Sequence, residues 1–582
     1  MSAADHHRYQ SFTQQFLTFA AVIAGKNGIF TLPRLLFIHG GAPFVIAYTT
    51  LTVSVVIPVM QLESVLGQFT GAGNIGIFDT VPGMRGLGYT MTFCFTLGMA
   101  IFVTECSYAT VFLSSLMRSP LPWSDCSHAR PSDSCYAPKR KMVLCSSVQE
   151  HILQRYRHSR DTQGMPVTDG TTTVLVPESI YNNFSVGDCI NGTESSTRLF
   201  FDSRVLRFPA DGSDLFHPEI AIAMAVLWLT VFAATRNGLQ NAGYAVYVIA
   251  SLTITTLTLM LVNSLALKHS DRGVDLLLRA PLSGVISYKL WRDALRMSIS
   301  NIVKGSDIER VLEGADIEHV IMPETLTILD TTRFWCTVYF TWLLSNALGY
   351  MMIGPDVVLE AVVFEFPGVA RFRNEIRMAA CISFYLLGLC LSSPPGPYII
   401  KLLLPNVEIM ATLSLLLEVL VIVHIYGLHR VMVDYHTMTG HYPNIITRLS
   451  WTFGVPFQLM VLLVFEVIEP LTDGYKGVKF GVFAKMFGIW IIVAAFSFIP
   501  TYLFALLTVE PWEKATEPAI TRLPDDKVAT REYRALLREF GCASKMRRTS
   551  TNVVDQPSLG HKRSGERCCG ESRRHRYRGG DH

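Results

Sequence analysis

Apolar runs alternate with polar connections along almost the whole chain. A bilayer span needs about 20 mostly apolar residues. Runs of that order occur at Phe16–Phe37, Phe44–Glu63, Leu87–Met117, Glu219–Thr235, Ala245–Leu267, Phe334–Val363, Met378–Ser393, Ala411–Leu428, Trp451–Ile468 and Phe483–Thr508. Ten spans follow, so an all-α polytopic membrane protein is expected: backbone polar groups in lipid must be satisfied within each helix. The region before the first span, 1–15, is polar and lacks the order of a cleavable signal peptide.

Composition sharpens this picture. Of 582 residues, 50% are apolar and 17% charged, which excludes a disordered chain and disfavours a soluble multidomain enzyme. The net charge of +3 is uneven. Residues 541–582 carry ten Lys/Arg against four Asp/Glu, so the rest is slightly acidic and offers nucleic acid no basic footprint.

Four cysteines, Cys126, Cys135, Cys145 and Cys189, share one long polar loop with two glycosylation acceptors, Asn183 and Asn191. That combination argues for an oxidising, extracellular face. It sets both termini in the cytosol, with the basic tail inside. The expected organisation is a cytosolic stretch 1–15 and a transmembrane domain 16–508, followed by a basic, largely disordered cytosolic tail 509–582. Within the domain lie a glycosylated extracellular loop, 118–217, and a second, 268–332, that holds a helix remnant. Cys94, Cys106, Cys336, Cys381 and Cys390 fall in or beside apolar runs and read as core residues.

Polar groups inside spans are costly and mark function by default. The first span breaks at Ala24-Gly25-Lys26-Asn27-Gly28. Glycines there let the helix unwind, which frees backbone carbonyls and amides to bind an ion or substrate. Glu63, Glu105 and Glu418 are carboxyls inside or at the end of spans; for Glu105 a structural and a functional role stand level. No nucleophile–base constellation suggests an enzyme, and the histidines show no metal-ligand spacing.

At this level of detail the residues resemble a family. Pro33-x6-Gly-Gly-Ala-Pro-Phe44, Pro58-x4-Glu63-x3-Gly67-Gln68-Phe69 and Arg85-Gly-Leu-Gly-Tyr89 resemble the first helices of neurotransmitter:sodium symporters. So do Leu121-Pro-Trp-x2-Cys126 with Cys135, Gly238-x4-Gly243-x3-Tyr247, Pro323-Glu324, Glu418-x7-Tyr426-Gly-x2-Arg430-x3-Asp434 and Trp451-x4-Pro456. The ordered set covers about Phe16 to Leu507. It implies an inverted-repeat bundle with a midplane site between two broken helices, a disulfide between Cys126 and Cys135, and a plasma-membrane location.

The resemblance implies sodium ligands at Ala21, Ile23, Ala24 and Gly28, where backbone carbonyls do much of the work. It implies a substrate site at Ala24, Gly25, Lys26, Asn27, Gly28 and Phe102. Gly25 stands where amine-carrying relatives have an aspartate, and Phe102 where the family has a tyrosine. Glu63 braces the unwound segment. Glu418 matches a gate carboxylate; Thr31 replaces its arginine, and Arg34, three residues on, is the candidate substitute. Gln61, Met297 and Asn301 occupy the chloride positions, which puts chloride coupling in doubt. Met351-Met352 replace an Asp-Ser pair at the second sodium site, and thioethers are poor sodium ligands.

The largest departure lies between Trp291 and Pro323. Trp291-Arg-Asp-Ala294 matches the start of the family's sixth helix, yet no spanning run follows. Most of the sixth helix and the seventh are missing. Unpaired helix faces then call for lipid or a second chain, in a homo- or hetero-oligomer. Two readings follow: a sodium-coupled symporter of small amino acids or amines working by alternating access, or a non-transporting relative or shortened product that acts through protein association.

Overall fold

The computed structural model describes residues 32, 35–36, 38–39, 41–126, 135–137, 143–144, 165–168, 173–176, 189–190, 194–207, 217–236, 239–267, 282–300, 317–329, 331–468, 474–475 and 478–512. Among them are nine helices long and apolar enough to cross a membrane. These are α1 Ala42–Thr70, α2 Pro82–Ser115, α3 Pro218–Thr235, α4 Gly243–Ala266, α5 Thr332–Glu365, α6 Pro367–Leu391, α7 Gly396–Thr439, α8 Ile445–Ile468 and α9 Val482–Leu507. Each matches one of the ten expected spans. The remaining one, Phe16–Phe37, lies almost wholly outside the described residues.

Two boundaries differ for a physical reason. α6 begins at Pro367, well before the expected Met378, and so takes in Arg371, Arg373 and Arg377, which hydropathy leaves in a connection. Arg377 is buried because its Nε donates to Asp356 Oδ1 of α5 at 2.7 Å. α7 extends from Gly396 to Thr439 because Lys401, Asn406 and Glu408 are buried by packing although they lower local hydropathy. Inside α7 the helix widens over Val421–Gly427. Gly427 sits there at φ 108°, and Gly440 closes the helix at φ 78°, both conformations that favour glycine.

Three apolar clusters hold the bundle together. The first joins α2, α3, α5 and α6 through residues such as Phe112, Trp228, Phe340 and Phe384. The second joins α1, α7 and α8 with a 13-residue helix, Tyr288–Ser300, through Val55, Leu290, Ala294, Val419 and Trp451. The third joins α2, α7 and α9. α2 thus stands between the first and third clusters. It meets α9 closely enough that a Cβ on Gly86 would lie 2.5 Å from the Phe498 carbonyl oxygen. At the start of α2, Arg85 bonds Glu365 at 2.7 Å, lies 3.5 Å from Asp79 and covers the Phe364 ring at 4.7 Å. Burial pushes the Asp79 carboxyl above its usual range, with Arg85 opposing that shift.

Cys94, Cys336 and Cys381 are buried as core residues, and Cys106 is half-buried. Cys390 is exposed, a correction: it lies on the outward face of α6, and apolar neighbours in sequence do not by themselves mean burial in protein. Cys126 and Cys135 form the disulfide that the resemblance implies. Asn183, Asn191 and Cys145 lie outside the described residues, as does the tail from 513 onward.

Candidate functional site

On α2, Phe102, Glu105, Cys106 and Ala109 recur at helical spacing and share one face; on α5, Leu343, Asn346 and Ala347 do the same. These faces enclose a small cavity, with about 20 Å³ open to a water-sized molecule. Its remaining wall is Glu318 and His319, from a short helical segment, Ile317–Thr327, that precedes α5. Glu105, Glu318 and His319 are buried, as is Asn346. A carboxyl withdrawn this far from water is expensive unless charge or hydrogen bonds compensate it.

The segment is held by contacts of different kinds. Tyr339 Oη donates to the Glu318 carbonyl at 2.8 Å. The His319 ring stacks on Phe201 at 5.4 Å and meets Tyr108 edge-on at 5.9 Å. Phe102 meets Tyr350 edge-on at 4.7 Å, so the aromatic wall that the resemblance assigns to Phe102 is braced from α5. The chamber therefore combines two carboxyls, an imidazole, an amide and a ring. Such a wall recognises a cationic nitrogen by charge and ring face together.

Among the sequence-expected residues, Phe102 lies in this chamber. Glu63 and Glu418 lie elsewhere but together, close enough for their charges to act on one another. Glu418 is buried and Glu63 half-buried. Glu418 is 22 residues beyond the start of α7, about 33 Å of helical rise from that end. Ala21, Ile23, Ala24, Gly25, Lys26, Asn27, Gly28, Thr31 and Arg34 all lie outside the described residues.

The end of that first segment is tied to Tyr288–Ser300: His39 Nε2 is 2.8 Å from Asp293 Oδ2, within the Trp291-Arg-Asp-Ala294 pattern. Of the residues that the resemblance sets at chloride positions, Gln61 is half-buried and Met297 buried; Asn301 is outside the described residues. Met351 and Met352 are buried on α5.

Sequence reasoning missed Glu318 and His319. A signal was present: two adjacent ionisable residues in the otherwise apolar stretch Ile317–Met322, just before the Pro323-Glu324 motif.

A family model described as the sodium:neurotransmitter symporter family matches residues 7–164 and 297–510, together more than half of the chain. The unmatched interval contains α3 and α4, so the bundle is continuous where the family pattern fades. The chain is 22% identical over 518 residues to the sodium- and chloride-dependent glycine transporter 2 of Xenopus laevis, covering 79% of this chain and 64% of that protein. It thus spans less than two thirds of that relative's length. The sodium- and chloride-dependent glycine transporter 1 of the same organism is 22% identical over 603 residues, covering 93% of this chain and 90% of the relative. The creatine transporter of Torpedo marmorata is 21% identical over 579 residues, with 88% and 87% covered.

Proposed function

The chain belongs to the sodium:neurotransmitter symporter family, and on that premise we propose that it is a sodium-coupled plasma-membrane symporter of a small amino acid or amine, working by alternating access. The observation that carries the reading is the chamber formed by Phe102, Glu105, Glu318 and Asn346. Glycine and creatine, named for the relatives, both carry a cationic nitrogen. Gly25 offers such a group no carboxylate, whereas Glu105 and Glu318 do, with the Phe102 face beside them. Ala24–Gly28 contribute unwound backbone to the same site, and Ala21, Ile23, Ala24 and Gly28 hold sodium through carbonyls.

Glu63 and Glu418 act together in support of that segment. If Arg34 and Glu418 instead form the outer gate, exchanging their charges restores the uptake that either single change removes. Buried Met351 and Met352 leave the second sodium position without oxygen ligands from those side chains. Met297 brings no hydrogen-bond donor to the usual chloride position, whereas the named glycine transporters are chloride-dependent; replacing chloride with gluconate during uptake decides whether chloride is coupled. A variant of the mechanism has the Lys26 ammonium stand in for a sodium charge; uptake unchanged by replacing sodium with choline selects it.

The test is uptake of radiolabelled glycine and creatine into cells that display the protein, with Phe102→Ala and Glu105→Gln beside the parent. Sodium-dependent uptake lost in both variants supports the reading. The rival, a non-transporting relative acting through protein association, is favoured by the sequence between Trp291 and Pro323, which has no apolar run long enough to span. Background uptake of both probes with the protein at the surface selects the rival.

A further inference from the structure

Three helices widen where they meet. α1 takes a π-type turn at Thr52–Val56, α7 at Val421–Gly427 and α8 at Ser450–Gly454. In such a turn an N–H reaches the carbonyl five residues back, and the helix bends most readily there. The Ile57 N–H bonds the Thr52 carbonyl, and the Val455 N–H the Ser450 carbonyl.

Two of the turns share a cause. Pro58 follows Thr52, and Pro456 follows Ser450, by six residues. Proline has no N–H to give, and its ring meets the carbonyl four residues back, so a local widening relieves the clash. The Ser54 carbonyl, whose ordinary partner would be the N–H of residue 58, accepts from the Ser450 hydroxyl of α8. Trp451, fully buried in the α8 turn, donates its indole N–H to the Pro58 carbonyl at 2.6 Å. It also meets the Tyr435 ring of α7 edge-on at 6.1 Å. The α8 turn packs against both of the others. In α7 the turn ends at Gly427, where a Cβ would find nothing within 4 Å, so the positive φ and not crowding calls for glycine.

Beyond the turns, Ile57–Thr70 of α1 and Leu428–Thr439 of α7 pack on one another. Among the described residues, their other extensive packing is with the turns themselves and with Gly76–Thr80, which follows α1. The helices beside them at that end are held separately: Arg85 ties the start of α2 to Glu365 of α5 and to Tyr502 of α9.

We propose that the three turns are one hinge with Trp451 as its pivot, and that Ile57–Thr70 and Leu428–Thr439 swing about it as a single body. The swing opens and closes the end of the bundle between that body and the helices tied by Arg85. Asp79 of Gly76–Thr80, 3.5 Å from Arg85, is the charged contact that closes it. The hinge needs neither substrate nor ion, so it stands apart from the transport reading.

The experiment is hydrogen–deuterium exchange of the purified full chain in detergent, read by mass spectrometry of its peptides. In the parent, amides of the three turns should exchange faster than those of Ile57–Thr70 and Leu428–Thr439. Ser450→Ala removes the hydroxyl that the Ser54 carbonyl uses; Trp451→Phe keeps a ring at the pivot and removes the indole N–H. Each should raise exchange by about 3- to 10-fold, the loss of one hydrogen bond, in all three turns together. Gly76–Thr80 should respond with them, while the body's own amides stay as protected as before.

Pro456→Ala acts in the opposite sense. It restores an N–H to α8, so exchange should slow by a similar factor in the same three turns. General loosening of the fold raises exchange everywhere and cannot imitate that pattern. Turns no faster than their flanking helices in the parent, or changes confined to α8 in all three variants, overturn the proposal.

Discussion

Two helical pieces flank residues 301–316, and they are held in different ways. Tyr288–Ser300 buries Leu290, Ala294, Leu295 and Met297 against α1 and α8, a spacing that puts one apolar stripe on one helix face. Its polar anchor is the His39–Asp293 contact at the edge. Ile317–Thr327 instead buries Glu318 and His319, and rings and a tyrosine hydroxyl hold it in the other cluster. The first piece is a wedge that completes a core. The second brings ionisable groups to a cavity at a cost that packing alone does not recover.

The two pieces should therefore respond to mutation in opposite ways. The largest effect is expected in transport: Glu318→Gln should cut sodium-dependent uptake of glycine or creatine about 10- to 100-fold, as loss of a charged hydrogen-bond partner does, with the melting temperature little changed. Leu290→Ala should do the reverse, destabilising the fold by about 2–5 kcal/mol through a cavity, measurable as a fall in melting temperature and surface amount. Uptake per molecule at the surface should survive.

Ala294→Leu is the overpacking counterpart at a fully buried position, costing about 1–3 kcal/mol. The smallest effect concerns neither piece. Thr253 Oγ1 and Ser345 Oγ lie 3.0 Å apart between α4 and α5, and Thr253→Val should cost only about 1 kcal/mol. A transport defect in Leu290→Ala as large as that in Glu318→Gln would erase the distinction between wedge and chamber.

The spans were legible because lipid imposes the same demand on each segment separately. The edge-on contact of Phe102 with Tyr350 was not legible, because it joins residues on two helices far apart in the chain. Cys390 misled because an apolar neighbourhood in sequence does not separate protein core from lipid face. Arg377 misled in the other direction: its partner, Asp356, sits on a different helix, and a partnered charge is tolerated where an isolated one is not. The nearness of Glu418 to Glu63 was not legible, since the two lie on helices far apart in the chain.

The sequence by itself determined the membrane class, the nine spans seen among the described residues and the family, since each rests on local hydropathy or on ordered motifs. Only the tertiary structure decided which polar groups meet: Glu105 with Glu318 and His319 in one chamber, and Glu63 with Glu418. Those meetings depend on helix rotation and on contacts between residues far apart in the chain, and neither is written in the local pattern of any one segment.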